Sequence, residues 1–188
     1  ASWTPIGMAT APNGMTVVEM VYETSDLLAC LTFRFGKTLV VQLDTTNLTG
    51  ELYSVSEAMH AYFAVSDVAN VSVSGLDGRP YYDQLTGRRE IQEGDVLVSG
   101  EIDRVYDECN DLIHLHDKGW NRTIQLERFN SNSCVVWNPW IDKAKTMADF
   151  DDDEYKGMLC LETAHAVRDV RTIKASQTLS FGMRLAIV

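Results

Sequence analysis

Two residues of this chain could perform acid–base chemistry from apolar surroundings. Glu162 follows the apolar run MLCL at 158–161, and His60 lies in the segment EAMHAYFAV. A carboxyl group buried among apolar side chains holds its proton more tightly than one in water, although strand alternation could instead turn Glu162 to solvent. His60 could likewise be a core histidine whose hydrogen bonds are satisfied. Brought together by the fold, one imidazole and one carboxylate are the minimum equipment for paired general acid and general base catalysis.

Other side chains in the sequence are suited to carbohydrate. Asp103 lies in EIDRVYDE, where a carboxylate could accept hydrogen bonds from sugar hydroxyls, although this pattern is also typical of a charged edge strand. Trp137 and Trp140 flank an Asn-Pro pair, and aromatic rings pack against the C–H faces of sugars. Trp137 ends an apolar strand and is at least as well suited to the core. Trp140 is therefore the better candidate for an exposed sugar-binding ring.

The histidines, cysteines and acids show no spacing that predicts a metal or another cofactor. The cysteines are widely spaced, with no C-x-x-C pair, at Cys30, Cys109, Cys134 and Cys160. His114 and His116, near Asp111 and Asp117, have no third ligand at a recognised spacing, so we predict a solvent-facing pair. The run DFDDDE at 149–154 lacks the alternation and central glycine of an EF-hand loop. We predict an acidic solvated loop there.

Composition narrows the class of protein. A chain of 188 residues with 45% hydrophobic content can bury one core, so we predict a single domain over 1–188. The net charge of −11 argues against nucleic acid or an anionic membrane as partner. No apolar run approaches the roughly 20 residues of a membrane helix. Cysteines within apolar strands favour reduced thiols and a cytoplasmic setting.

Short apolar or alternating runs, separated by turn signals such as Asn13-Gly14, indicate an all-β fold. The predicted strands are 15–23, 38–44, 53–56, 70–74, 96–98, 112–115, 123–129, 134–137, 159–164, 170–174 and 178–187. Their β-branched residues and regular spacing favour an antiparallel β-sandwich or barrel over alternating strands and helices. One short window, 142–150, has a helical pattern.

Five segments occur in an order that carries a family resemblance. They are EAMHAYFAVSDV, SGLDGRPYYDQL, GEIDRVY, SCVVWNPW and MADFDDDEYKGMLCLE. In this order they resemble the glucose-6-phosphate 1-epimerase (hexose-6-phosphate mutarotase) branch of the aldose 1-epimerase family. The resemblance implies a galactose-mutarotase-like β-supersandwich and the interconversion of the α and β anomers of a hexose 6-phosphate, without a cofactor. It also implies that His60 is the general acid, Glu162 the general base and Asp103 a sugar-binding carboxylate. Because all three would serve one anomeric centre, we expect the acid and base several ångströms apart across one cleft.

The same resemblance implies a chain truncated at its N-terminus, since the family members carry further strands and substrate-binding arginines there. The arginines available here, which we expect to be solvated, are Arg79, Arg88, Arg89 and Arg104. One alternative is therefore a catalytically weak or silent carbohydrate-binding module. Another is a fragment whose open sheet edge, with strand-forming sequences such as MTVVEMVY, pairs with a second copy. Hexose or hexose 6-phosphate is the expected ligand, with a homo-oligomer formed through the N-terminal strands.

Overall fold

The computed structural model describes residues 2–109 and 112–188, so Asp111 lies outside the described residues. Its largest sheet has nine antiparallel strands, numbered in chain order. In spatial order they are β1 (Thr4–Thr10), β2 (Thr16–Glu23), β3 (Leu27–Phe35), β4 (Leu39–Asn47), β18 (Thr178–Ile187), β14 (Arg122–Phe129), β13 (Ile113–Asp117), β8 (Val71–Ser74) and β11 (Val96–Leu97).

The second sheet has seven strands, and two short ones share its last position. In spatial order they are β10 (Arg88–Ile91), β9 (Pro80–Asp83), β12 (Ile102–Tyr106), β15 (Ser133–Asn138) and β16 (Met158–His165), followed by β6 (Glu57–Met59) and β7 (Tyr62–Ala64), which both pair with β16. A small third sheet joins β5 (Tyr53–Val55) to β17 (Arg171–Ile173). Every strand pair is antiparallel.

The main core lies between the two large sheets. Val41, Leu126 and Phe181 of the first sheet belong to the same buried cluster as Val136 and Leu161 of the second. Side chains on a strand alternate between its faces, so a central strand such as β13 buries Ile113 and Leu115 in this core and leaves the residue between them on the outer face. The predicted all-β sandwich is confirmed.

The helical prediction is wrong in extent. The helix α1 runs over Trp140–Ala144, and single 3₁₀ turns cover Val68–Asn70 and Glu154–Gly157. Pro139, at the N-cap of α1, starts the helix earlier than the predicted window, and the chain leaves the helix in turns after Ala144. None of the helices among the described residues has the length and apolar character needed to cross a bilayer. All four cysteines are free.

The first sheet extends beyond the edge of the second. Where the second sheet ends, a cavity of about 560 Å³ opens between β3, β4 and the β6–β7 segment, with Leu31, Phe33 and Leu43 in its wall. Farther out, β1 is exposed along nearly its whole length, and Met8 is 79% exposed. An exposed strand edge beside apolar surface is a template for pairing with another chain.

We therefore expect the protein to self-associate through β1. Sedimentation should show dimers or larger species whose population rises with protein concentration. Met8→Lys should shift the distribution to monomer, because a charge on an edge strand opposes pairing. Leu97→Lys is the matched control, since Leu97 is 67% exposed on β11 at the opposite edge of the same sheet. A wild-type chain that sediments as a clean monomer at every concentration contradicts this expectation.

Candidate active site

His60 and Glu162 are brought together by strand register. β6 ends at Met59 and β7 begins at Tyr62, and both pair with β16 in one continuous register. Extended across the two residues between them, this register places His60 directly opposite Glu162. The ladder is interrupted at this point, where the Ala61 N–H donates to the Met59 carbonyl at 2.9 Å. The break leaves the histidine side chain at the sheet edge, facing the carboxylate.

The two side chains are in direct contact. His60 Nε2 lies 3.3 Å from Glu162 Oε1, and the side chains are 48% and 6% exposed, respectively. The other ring nitrogen, Nδ1, lies 3.5 Å from the sulfur of Cys160, two residues before Glu162 on the same face of β16. The two groups are thus closer than the several ångströms expected of an acid and a base on either side of a sugar. Because His60 is about half exposed, its ring has room to turn away from the carboxylate.

Asp103 occupies the same outer face two strands away. It pairs with Trp137, which in turn pairs with Cys160, and Cys160 pairs with Tyr62. These four residues form one row across the sheet, next to the row that contains His60 and Glu162. Gln84 donates a hydrogen bond from Nε2 to Asp103 Oδ1 at 2.9 Å, which holds the carboxylate in place.

Aromatic rings surround the histidine. His60 stacks on Tyr62 with ring centroids 4.8 Å apart, and Trp137 meets His60 edge-on at 5.5 Å. Tyr62 is also 54% exposed, so it presents ring surface beside His60 and Glu162. The sequence favours Trp140 as the sugar-binding ring, and the structure places that ring 5.3 Å from the ring of Tyr155 and against the main core. A role for Trp140 in sugar binding stays a prediction.

Asn138 explains why the WNPW segment holds this shape. Its buried amide donates to the carbonyls of Tyr155 and Met158, at 2.8 and 2.9 Å, and its oxygen accepts the backbone N–H of Trp140 at 2.9 Å. The amide therefore ties the end of β15 to the start of β16. The sequence singles out the two tryptophans of this segment, and the structural role of the asparagine between them was not predicted.

The electrostatics of the face suit proton exchange near neutrality. Burial and, second to it, the negative charge of Asp103 raise the pKa of Glu162 to about 7. Burial lowers the pKa of His60, while Asp103 acts to raise it. Burial also raises the pKa of Asp103, against the hydrogen bond from Gln84. The pKa of Glu162 is thus brought close to neutrality, and that of His60 is moved below its ordinary value.

Arg104 is not available to a ligand on this face. Because side chains alternate along β12, Arg104 points to the opposite side of the sheet from Asp103. There its guanidinium lies 4.6 Å from the ring centroid of Tyr81 and donates to Gln92 at 3.1 Å. The expectation of a solvated Arg104 is wrong, because these partners hold the side chain half-buried.

Comparisons with known proteins show the family of the chain. A family model described as aldose 1-epimerase matches residues 15–186. The chain belongs to the aldose 1-epimerase family. Its sequence is 39% identical over 141 residues to a protein of Cenchrus ciliaris named "Putative glucose-6-phosphate 1-epimerase", covering 74% of this chain and 43% of that protein. A protein of the same name from Escherichia coli K12 is 35% identical over 144 residues, covering 76% and 47%.

A solved structure extends the similarity to nearly the whole chain. The crystal structure of a "putative mutarotase" from Salmonella typhimurium superposes with a TM-score of 0.88 at 26% identity, covering 99% of this chain and 64% of that one. The resemblance inferred from sequence is thus confirmed for both family and fold. The chain spans about half the length of the relatives named above.

Within this aldose 1-epimerase chain, a buried pair fixes the strand that leads to His60. Glu57 and His165 pair across β6 and β16, with Oε1 and Nδ1 3.2 Å apart and side chains 11% and 0% exposed. His165 Nε2 lies 2.7 Å from the carbonyl oxygen of Asn130, and Thr45 of the first sheet donates to Glu57 Oε2 at 2.7 Å. This network joins both sheets three residues before the candidate acid. Sequence reasoning assigned His165 only to the end of a strand.

One group of side chains on the outer face of the second sheet also has the chemistry of a metal site. His60, Cys160 and Glu162 each offer a ligand atom there, and these atoms lie within 4.8 Å of one another. Elsewhere, His114 and His116 stack at 6.0 Å, and His116 is engaged by Ser74 at 2.8 Å and Thr123 at 3.1 Å.

Proposed function

We propose that this chain interconverts the α and β anomers of a hexose 6-phosphate, with Glu162 as general base and His60 as general acid. One observation carries the proposal. A nearly buried carboxyl group with a pKa of about 7 faces an exposed imidazole at 3.3 Å. Family membership supports the same reaction type, and the names of the relatives support the phosphorylated substrate.

Anomer exchange needs two proton transfers on one sugar. Glu162 removes the proton from the anomeric hydroxyl while His60 protonates the ring oxygen, and the C1–O5 bond breaks to give the open-chain aldehyde. Rotation about C1–C2 and reclosure, with the two proton transfers reversed, gives the other anomer. Each group must accept and return a proton in every cycle, which requires a pKa near the working pH. Burial of Glu162 provides this for a residue that ordinarily ionises near pH 4.

The other residues on the outer face of the second sheet are given roles from their positions. Asp103, held by Gln84, accepts hydrogen bonds from sugar hydroxyls and adds negative charge that favours a cationic His60. Tyr62 and Trp137, with ring centroids 6.1 Å apart, offer apolar surface to the C–H face of the ring. The four free cysteines support a cytoplasmic setting, which is part of the same proposal.

The second candidate is a catalytically silent carbohydrate-binding module. The orientation of Arg104 favours it, because an arginine next to Asp103 in sequence is directed away from the site. Such a module would bind sugar through Asp103 and the aromatic rings without exchanging anomers. The epimerase and the binding module would both bind sugar, but only the epimerase would exchange anomers. The experiment must therefore measure both binding and exchange.

The pH profile tests the base. We expect a bell-shaped dependence of the rate of anomer exchange on pH, because Glu162 must be ionised and His60 protonated, with the limb that reports Glu162 at a midpoint near 7, where its pKa lies. Asp103→Asn should move that midpoint to lower pH, since it removes a charge that raises the pKa of Glu162. Saturation-transfer NMR measures the exchange after subtraction of the spontaneous rate.

The substrate phosphate also titrates, near pH 6. The decisive comparison is therefore wild type against Asp103→Asn on the same sugar, where the phosphate contributes equally. A wild-type midpoint near pH 4, or one that Asp103→Asn leaves in place, would contradict the assignment of Glu162 as a base poised by burial and by Asp103.

A further inference from the structure

Three different metal-ligating atoms meet on the outer face of the second sheet. A nitrogen of His60, the sulfur of Cys160 and a carboxylate oxygen of Glu162 lie within 4.8 Å of one another. Cys160 and Glu162 are two residues apart on β16, so the period of the strand directs both side chains to the same side. His60 reaches them from the break between β6 and β7.

The spacing of these atoms approaches the ligand shell of a tetrahedral ion. Zinc binds sulfur at about 2.3 Å and nitrogen or oxygen at about 2.0–2.2 Å, which places tetrahedral ligands roughly 3.3–3.7 Å apart. Here Nδ1 of His60 lies 3.5 Å from the sulfur of Cys160, and Nε2 lies 3.3 Å from Oε1 of Glu162. The two distances involve different ring nitrogens, and a single nitrogen must serve the ion, so the His60 side chain, which is 48% exposed, must turn until one nitrogen lies near both partners.

We propose that His60, Cys160 and Glu162 bind a thiophilic divalent cation such as Zn²⁺, with a fourth position open to water. The donor set selects the ion, because thiolate and imidazole favour zinc over magnesium or calcium, which prefer oxygen ligands. Three protein ligands with one open position is also the usual arrangement of zinc sites that exchange a ligand. The net charge of −11 favours the approach of a cation.

Occupation of this site would block the acid and the base together, a consequence that rests on the proposed function. The ion takes the lone pair of His60 and an oxygen of Glu162, so neither can exchange a proton with a sugar. We therefore expect Zn²⁺ to inhibit anomer exchange, chelator to restore it, and sugar and metal to compete.

Metal binding is tested without any reference to activity. The full chain, freed of metal by chelator dialysis, is titrated with Zn²⁺ in competition with a chromophoric chelator, and with Co²⁺ while its absorption spectrum is recorded. We expect one equivalent of each metal and a thiolate-to-cobalt charge-transfer band. Cys160→Ser should weaken Zn²⁺ binding at least about tenfold and remove the band. Cys30→Ser, which removes a half-buried thiol on β3, is the matched control and should change neither.

Two outcomes would overturn the proposal. One is a Co²⁺ complex of the wild-type chain without a thiolate band, a measurement that does not depend on how any variant folds. The other is Zn²⁺ binding that survives Cys160→Ser and is lost in His116→Ala, which would place the ion at the His114–His116 pair. Anomer exchange by the metal-free protein is measured separately. Its absence would remove the proposed function and leave the metal site standing.

Discussion

Glu162→Gln is expected to reduce anomer exchange by about 10²–10⁴-fold, the contribution of a positioned acid–base group, while sugar binding is retained. The amide preserves the shape of the side chain and its place opposite His60, but it cannot accept the proton of the anomeric hydroxyl. Polarimetry or saturation-transfer NMR on glucose 6-phosphate, with a parallel binding titration, separates the two effects.

A matched control comes from the other sheet. Glu127→Gln changes a glutamate of β14 that is 47% exposed and paired with Arg184 at 3.0 Å, and it should leave exchange at the wild-type rate. If wild type and Glu162→Gln prove equally inactive and bind sugar equally well, the binding-module function is preferred. If Glu162→Gln retains full activity, the proposed mechanism is wrong.

His165→Leu is expected to lower the free energy of unfolding by about 3–5 kcal/mol, the cost of removing one partner from a buried pair. The substitution leaves the carboxylate of Glu57 and the carbonyl of Asn130 without the ring that now bridges them. Urea denaturation of wild type and variant measures the difference. His116→Leu is the control, because His116 lies on a partly exposed surface and should cost only about 1 kcal/mol.

A double variant distinguishes the interaction between Glu57 and His165 from the simple loss of packing. Glu57→Leu with His165→Leu removes both partners, so no charged group is left unpaired in the interior. Its cost should be smaller than the sum of the two single costs, because contacting residues are coupled. Costs that add would show that the two side chains act independently and that the pair does not anchor β6.

Much of the fold follows from local patterns in the sequence. The strand predicted over 178–187 coincides with β18, because its apolar residues, its length and the flanking turns are all local signals. The prediction omitted β3, whose sequence LLACLTFRF has no clean alternation, and most of its residues are partly buried on both faces. The helical window failed because the buried amide of Asn138 fixes the start of that segment, a tertiary contact that periodicity does not report.

The prediction of the site residues depended on the family resemblance more than on the pattern of the sequence. His60 and Glu162 are 102 positions apart (162 − 60), and only the register between β6, β7 and β16 makes them neighbours. Trp137 was undervalued because it ends an apolar strand, although its alternate position puts it on the outer face beside His60. The meeting of His60, Cys160 and Glu162 was not predicted from pattern either, because His60 is far from the other two residues in sequence.

The break between Met59 and Tyr62 makes the position of His60 a matter of chain length. On one side the Glu57–His165 pair fixes β6, and on the other the buried ring of Phe63 fixes β7. Because β6 and β7 both pair with β16 in one register, the two residues between them are the number that keeps β7 in phase with β6. A single insertion there would move every later side chain of β7 to the opposite face, carrying Phe63 out of the core. The fold can therefore accept changes of residue type in this segment but no change in its number of residues, whereas the proposed chemistry also requires His60.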